Sequence, residues 1–431
     1  MNEQLKDLVK ELRWRGMIHD IMPGTEEQLL KEMTIGYVGF DPTADSLHIG
    51  SLVPILLLVH LQRCGHKPIA LVGGATGMIG DPSFKSEERN MLSEETLALN
   101  LAGIEKQLAH FLLFDQSIPN HAEIVNNYDW FKDISLLDFI RDTGKHITIN
   151  YMMAKESVKK RIEGNNGMSF TEFSYQLIQG FDFYWLFKHK NCKLQMGGSD
   201  QWGNIVTGTE LIRRKINEEA FAFTCPLLKK SDGGKFGKTE QGNIWLDETR
   251  TTPYQFYQFW LNASDNDVES WIKIFTFLDE HTISKLISEH RNDPSKRILQ
   301  KKLAEEITRF VHGEEKLNIA IETTLRLFNN QDKPISEMSE KDLETMEGII
   351  KISYPKSKFR EGIEIISFLA ETSIFTSKGE ARKMIQNGGV SINRMKMINQ
   401  QESITEEHLL HNKYLLVQKG KKNYYLVEIT N

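Results

Sequence analysis

The chain has 431 residues, 40% of them hydrophobic, and because single cores stop growing near roughly 250–300 residues it should fold as two to four domains. Its formal net charge of -6 excludes a protein that wraps nucleic acid over its whole surface, and no apolar run nears the roughly 18 residues of a membrane span, so no membrane partner is expected. Three scattered cysteines, Cys64, Cys192 and Cys225, suggest neither a disulfide framework nor a zinc site, which makes a reducing cytoplasm the expected location and leaves no metal-ligand set.

The amino-terminal "MNEQLKDLVKELRWRG" places Leu5, Leu8, Val9 and Leu12 at helical spacing and predicts a surface helix, not a signal peptide. "TIGYVGF" has the composition of a short buried strand, and "KPIALVGG" is a second that ends in glycines. An apolar segment of helical length separates them, so residues 35–74 read as strand, helix, strand, the opening of a parallel α/β sheet. Ligands of such sheets sit beyond the carboxyl ends of the strands, where "GFDPTADS" and "GGATGMIGDP" fall. Pro54 lacks a backbone donor and is best tolerated in a first turn, which puts the helix start near Gly50 or Ser51. The unpaired N–H groups and helix dipole there form an anion site. His48 can donate from its ring at the same mouth, and Gly50 admits a flat ring close to the backbone. Taken alone, the motif is equally a histidine in a loop before an ordinary core helix.

Ser169 and Glu172 have capping-box spacing and predict a helix start. On that helix Tyr175, Gln179 and Asp182, at i, i+4 and i+7, share one face among apolar neighbours, a polar stripe that fits a water-facing side as well as a binding cleft. "CKLQMGGSDQWGNI" repeats the strand, glycine turn and helix start, with Asp200 placed to cap that helix. Beyond about residue 250 the glycine turns vanish. We expect a helical domain over 251–328, a polar linker over 329–358 and a small basic unit over 359–431. From Lys356 onward 12 lysines and arginines face 8 aspartates and glutamates, a local +4 against -10 for the rest. In "SKGEARKMIQNGG" Ser377 is a candidate N-cap and Gly388 or Gly389 a helix stop, with Lys378, Arg382 and Lys383 on the helix. That pattern suits either RNA phosphate contact or a solvated face.

"YVGFDPTADSLHIGS" resembles the first signature, called HIGH, of class I aminoacyl-tRNA synthetases, and is close in wording to the tyrosine-specific ones. The second signature, KMSKS, appears as "KFGKT", Lys235 to Thr239, and the likeness extends through "GGATGMIGDPS", "EFSYQLIQGFDF" and "LQMGGSDQWGNI" before resuming in "SKGEARKMIQNGGVSIN". The resemblance implies a Rossmann-like catalytic domain over 1–250, the helical domain, and a small C-terminal α+β RNA-binding domain. It implies a ligase that joins L-tyrosine to ATP, supplied with Mg2+, as tyrosyl-adenylate plus pyrophosphate, and then transfers tyrosine to tRNA(Tyr), working as a homodimer. Tyr37 and Asp182 would bind the phenol; Asp81, Tyr175 and Gln179 the ammonium; and Gln201 would line the pocket. Gly39, Asp41, Thr43, His48, Gly50, Gly198, Asp200 and Lys238 would hold ATP, and Lys235, Lys238 and Thr239 would close over pyrophosphate. Lys85 and Arg89 would assist there, although "KSEER" also reads as an exposed helix start.

A pocket built to pair with a hydroxyl leaves its own polar groups unmet when phenylalanine enters, a rule of which this family is itself the standard example, so no editing domain is needed. Three departures stand out: Ser51 replaces the second histidine of HIGH, Val38 stands where some relatives carry cysteine, and the flap reads KFGKT. Two other classes compete, an RNA-binding protein with a synthetase scaffold but no catalysis and a tryptophan-specific or nucleotidyltransferase relative. Deleting residues 359–431 should spare adenylate formation and cripple tRNA charging.

Overall fold

The computed structural model describes residues 5–83, 92–163, 167–234, 236–239, 242–328, 335, 338–340, 343, 349–359, 362–420 and 423–430. The chain forms two compact units, Met1–Asp247 with Ala263–Leu303, and Glu248–Asn262 with Ala304–Asn431.

In the first unit five parallel strands run in the order β3-β2-β1-β4-β5: β1 is Ile35–Phe40, β2 Lys67–Val72, β3 Glu123–Asn126, β4 Cys192–Gly198 and β5 Phe221–Cys225. The expected opening of strand, helix and strand is present as β1, the helix Leu52–Arg63 and β2. That helix is apolar all round and buries ten of its twelve residues, as a helix must when layers cover it on both sides. β3, "EIVN", has only four half-buried residues and no sequence signal of a strand. The helices Phe170–Lys190 and Trp202–Ile216 cross at glycines. A Cβ on Gly208 would sit 2.8 Å from Phe183 Cβ, and one on Gly180 3.1 Å from Thr207 Cγ2, so the backbones approach closely. The chain winds outward in both directions from β1 and β4, and the crevice beyond their carboxyl ends is the switch point of the sheet.

The amino-terminal segment is the helix Leu8–Trp14, with Leu8, Val9 and Leu12 fully buried. Arg15 follows and donates to the carbonyls of Lys273 (2.6 Å), Thr276 (2.7 Å) and Leu278 (2.8 Å), closing the carboxyl end of the helix Asp265–Phe275.

The helices expected as one body over 251–328 are shared between the two units. Asp265–Phe275 and Glu280–Asn292 belong to the first, whereas Pro253–Leu261 belongs to the second, where Phe256 meets the His312 ring edge-on at 4.7 Å and Gln258 Nε2 donates to Thr324 Oγ1 at 2.7 Å. A helix joins whichever neighbour covers its apolar face, and sequence order does not decide that. The expected linker over 329–358 is corrected at its carboxyl end, and most of residues 329–348 lie outside the described residues. Ile350–Pro355 is a strand that pairs in parallel with Asn423–Thr430 at the edge of a sheet otherwise built antiparallel from Tyr414–Lys419, Val390–Ile392 and Met395–Lys396. Its alternation of Ile350, Ile352 and Tyr354 with charged and polar residues is the pattern of a one-face-buried strand, hidden in sequence by the polar run before it. The basic helix is Lys378–Gln386. Ser377 Oγ accepts from Glu380 N–H at 3.2 Å, and Gly388, at φ 63°, ends it.

Candidate active site

A cavity of about 740 Å³ opens at the switch point. Tyr37, Gly39, Asp41, Thr43, His48, Gly50, Ser51, Asp81, Tyr175, Gln179, Asp182, Gly198, Asp200 and Gln201 all line it, so the structure brings together the residues that the sequence scattered over 165 positions. The polar stripe of the Phe170–Lys190 helix faces this cavity and not water: Tyr175 is 4% exposed and Asp182 2%. The capping box that starts this helix is formed, with Glu172 N–H donating to Ser169 Oγ at 3.2 Å. Lys85, Arg89 and Lys235 lie outside the described residues, and Lys238 and Thr239 form a backbone ribbon with Asn243 and Gly242.

The Leu52–Arg63 helix starts where Pro54 predicts, but the turn before it does not offer the free N–H groups expected there: Ser51 N–H donates to His48 C=O at 2.8 Å, and those of Ile49 and Gly50 are paired as well. The Gly50 N–H donates to His48 Nδ1 (3.0 Å), so in the neutral ring the proton sits on Nε2. A Cβ at Gly50 would meet His48 Cε1 at 2.7 Å, which shows that the flat ring this glycine admits is that of His48 itself. Ser51 occupies the N-cap position without a side-chain cap bond. The base of the glycine-rich flap is tied to this turn: Ile49 N–H donates to Ile244 C=O at 3.0 Å and Leu246 N–H to Leu47 C=O at 2.9 Å. Phe236, the second residue of KFGKT, stacks on Phe275 (5.4 Å, 11°) and meets Trp271 edge-on (5.1 Å, 82°), and so fills with a ring the position that KMSKS gives to methionine.

Deeper in, the polar atoms divide into satisfied and orphaned ones. Asp182 accepts from Trp130 Nε1 (2.9 Å) and Asn127 Nδ2 (3.1 Å); burial nevertheless pushes its carboxyl up to about 8, against the pull of those two donors. Tyr175 Oη donates to Asp41 Oδ2 at 2.9 Å. Gln201 Nε2 donates to Asp81 Oδ2 (2.7 Å), and Asn204 Nδ2 to Gln201 Oε1 (3.3 Å). Three buried atoms in the cavity wall have no partner: Tyr37 Oη, Gln179 Oε1 and Gln195 Oε1. Burial, and then the Asp182 charge, hold the Tyr37 phenol well above its ordinary range, so it remains a donor. Tyr37 and Gln195 are register neighbours on β1 and β4, the two strands that flank the switch.

Asp200 does not cap the helix that follows. Trp202–Ile216 begins after a 3-10 turn with Gln201 in the cap position and no side-chain cap bond, and Gly198 leaves room for the Asp200 carboxylate, which a Cβ there would meet at 2.4 Å. Burial, followed by the neighbouring Asp81, raises the Asp200 carboxyl. Thr76, Asn127, Trp130 and Gln195 were not expected from sequence. Asn127 and Trp130 follow the short strand β3 outside any quoted motif, while Thr76 and Gln195 fall within "GGATGMIGDPS" and "LQMGGSDQWGNI" but were not singled out there, since no periodicity marks them. In the second unit Lys378, Arg382 and Lys383 are exposed on their helix, with Lys378 Nζ 3.0 Å from Ser367 Oγ.

Residues 30–329 match the family of tRNA synthetases class I (W and Y), and residues 345–427 match the SYY-like C-terminal domain of tyrosine–tRNA ligase. The chain belongs to the class I tRNA synthetases. Its kinship within that family is on the tyrosine side: it is 59% identical over 426 residues to the tyrosine–tRNA ligase of Bacteroides fragilis, covering 98% of this chain and 99% of that one. The tyrosine–tRNA ligase of Flavobacterium johnsoniae is 58% identical over 431 residues, 99% and 100% of the two chains. Among solved structures, a C-terminally truncated mitochondrial tyrosyl-tRNA synthetase of Aspergillus nidulans superposes with a TM-score of 0.68 at 31% identity, over 75% of this chain and 94% of that one.

Proposed function

We propose that the cavity selects L-tyrosine and joins it to ATP, and that each lining residue acts as its partners dictate. The chain is a ligase that joins tyrosine to tRNA with ATP as the energy source. The observation that carries the residue assignment is the set of orphaned buried atoms in the cavity wall, because a buried donor or acceptor without a partner is costly unless a ligand supplies one.

The phenol of tyrosine fits between Tyr37 and Asp182, accepting from the Tyr37 hydroxyl and donating to the carboxylate. Phenylalanine would leave the Tyr37 hydroxyl unmet and give Asp182 nothing beyond its bonds to Asn127 and Trp130. The ammonium is held by Asp81, by Gln179 Oε1 and by the Tyr175 oxygen, whose own hydrogen is committed to Asp41. Gln201, held by Asp81, lines the wall. ATP lies along Gly39, Asp41 and Thr43 and over Gly198, with Asp200 at the ribose and His48 Nε2 with the Gly50 turn at the phosphates, and Mg2+ enters as part of that nucleotide substrate. The Tyr carboxylate then attacks the α-phosphate and pyrophosphate leaves. No covalent enzyme intermediate is needed, so the enzyme's work is positioning and charge stabilisation. Lys85, Arg89, Lys235, Lys238 and Thr239 are the groups we assign to the leaving pyrophosphate, and Ser51 offers a hydroxyl at the helix mouth.

Lys378, Arg382 and Lys383 are assigned to tRNA contact, supported by their exposure on one helix of the C-terminal domain. A homodimer is supported by the Leu136–Asp142 helix, which buries none of its residues yet exposes Leu136, Leu137 and Ile140, with Ile149, Met153 and Phe170 exposed on the helices that follow. A cytoplasmic setting accords with three free cysteines. Among the described residues no helix is long and apolar enough to cross a membrane. Exchange of labelled pyrophosphate into ATP, run with tyrosine, phenylalanine and tryptophan, tests the assignment. Tyrosine alone should drive it, and equal exchange with phenylalanine would overturn the roles of Tyr37 and Asp182.

A further inference from the structure

Between the two ends of the proposed tyrosine site runs a chain of hydrogen bonds whose directions are all determined. Asn127 Oδ1 accepts from Ala75 N–H at 2.7 Å, which fixes the amide orientation and leaves both hydrogens of Nδ2 to donate. One goes to Asp182 Oδ2 (3.1 Å) and the other to Thr76 Oγ1 (3.2 Å). Thr76, having accepted there, donates its own hydrogen to Asp41 Oδ1 (2.8 Å), and Asp41 Oδ2 accepts from Tyr175 Oη (2.9 Å). Asn127 is fully buried and Thr76 nearly so. The backbone is shaped around this path: a Cβ on Gly73 would lie 2.3 Å from Thr76 Oγ1 and 2.4 Å from Asp41 Oδ1, so a glycine is the condition for that bond.

We propose that Thr76 and Asn127 are positioning residues that couple the two ends of the site, so that the phenol of tyrosine is read more sharply when its ammonium is also bound. The inference rests on the functional reading above, in which the ammonium sits at Tyr175 and the phenol at Asp182. Asn127 Nδ2 donates to the Asp182 carboxylate directly and reaches Asp41 only through the Thr76 hydroxyl, so the pull of one carboxylate is felt by the other along that path. The Asp41 charge also disfavours an ionised Asp182. An ammonium beside Tyr175 offsets the Asp41 charge and so favours the ionised form of Asp182, the form that accepts from the phenol. Neither Thr76 nor Asn127 is itself assigned to substrate; Thr76 touches Asp41 and Asn127 touches Asp182.

The test compares kcat/KM for tyrosine and phenylalanine in pyrophosphate exchange with the unaltered chain, Thr76→Val and Thr76→Ser. Loss of one linking hydrogen bond should lower the tyrosine-to-phenylalanine ratio about threefold to tenfold in Thr76→Val. Thr76→Ser, which keeps the hydroxyl, should restore the ratio. A ratio unchanged in Thr76→Val, or equally lost in Thr76→Ser, overturns the coupling. A second measurement needs no variant. Inhibition constants of 3-(4-hydroxyphenyl)propanoate and 3-phenylpropanoate, which lack the ammonium, should differ at least threefold less than tyrosine and phenylalanine do. Equal ratios would overturn the proposal. Failure of the functional reading looks different, since the unaltered chain would then show no preference for tyrosine at all.

Discussion

Replacing Tyr37 by phenylalanine should move stability and selectivity in opposite directions. The Tyr37 hydroxyl is buried, with the residue 1% exposed, and has no hydrogen-bond partner within the protein. A buried unsatisfied hydroxyl costs about 1–3 kcal/mol, and its removal leaves a gap of a single oxygen atom, so Tyr37→Phe should stabilise the free protein by about 1 kcal/mol. In a unit of this size that is a rise in Tm of about 2–4 °C, readable by calorimetry. Saturating tyrosine should shrink the difference, because the phenol gives the wild-type hydroxyl its partner. One lost neutral hydrogen bond of about 0.5–1.5 kcal/mol lowers kcat/KM for tyrosine roughly 2- to 10-fold. Phenylalanine loses nothing, so discrimination falls by at least that factor. A variant that melts lower than the parent, or that keeps full preference for tyrosine, would refute the idea that this hydroxyl waits for the substrate.

Asp182, with its carboxyl pushed up to about 8 from an ordinary 3.8, holds a proton in the folded chain that the unfolded chain releases near pH 4. Its contribution to stability is therefore full below pH 4 and lost as pH rises to about 8, and Asp182→Asn should flatten that decline in a pH series of thermal melts. At pH 7 tyrosine should displace that proton on binding, a release that calorimetry in buffers of different ionisation heat would detect and that Asp182→Asn should abolish. Gly50→Ala should push the His48 ring off its 3.0 Å bond to the turn and raise KM for ATP about tenfold or more, with tyrosine affinity in equilibrium dialysis nearly unchanged. Deletion of the C-terminal domain should leave pyrophosphate exchange and abolish efficient tRNA charging. The cut must fall before Ile350, since removing only 359–431 would strip the partner strand from Ile350–Pro355 and expose an unpaired edge, seen as aggregation in light scattering.

Local chemistry made much of the site readable without coordinates. Pro54 and Gly50 marked the helix mouth because a missing donor and a missing Cβ are tolerated in few places, and i, i+4, i+7 spacing put Tyr175, Gln179 and Asp182 on one face. Which way that face pointed was not local. It was decided by the packing of Gly180 and Gly208, which seats the helix Phe170–Lys190 with its polar stripe over the sheet switch. Thr76, Asn127, Trp130 and Gln195 carry no spacing signal, because their roles come from neighbours 35 to 55 positions away or from a strand partner.

The sequence by itself determined the family, through its resemblance to known signatures, and the strand-end turns and the shared face of Tyr175, Gln179 and Asp182, through patterns within a turn or two of chain. Only the tertiary structure decided that the helices after residue 250 divide between two units, that Ile350–Pro355 joins the C-terminal sheet, and that a glycine at 73 opens the path from Asp41 to Asp182. The physical reason is the same in each case: burial of an apolar face and pairing of a polar atom are satisfied by whatever surface lies near in space, and a linear pattern records the need without naming the partner.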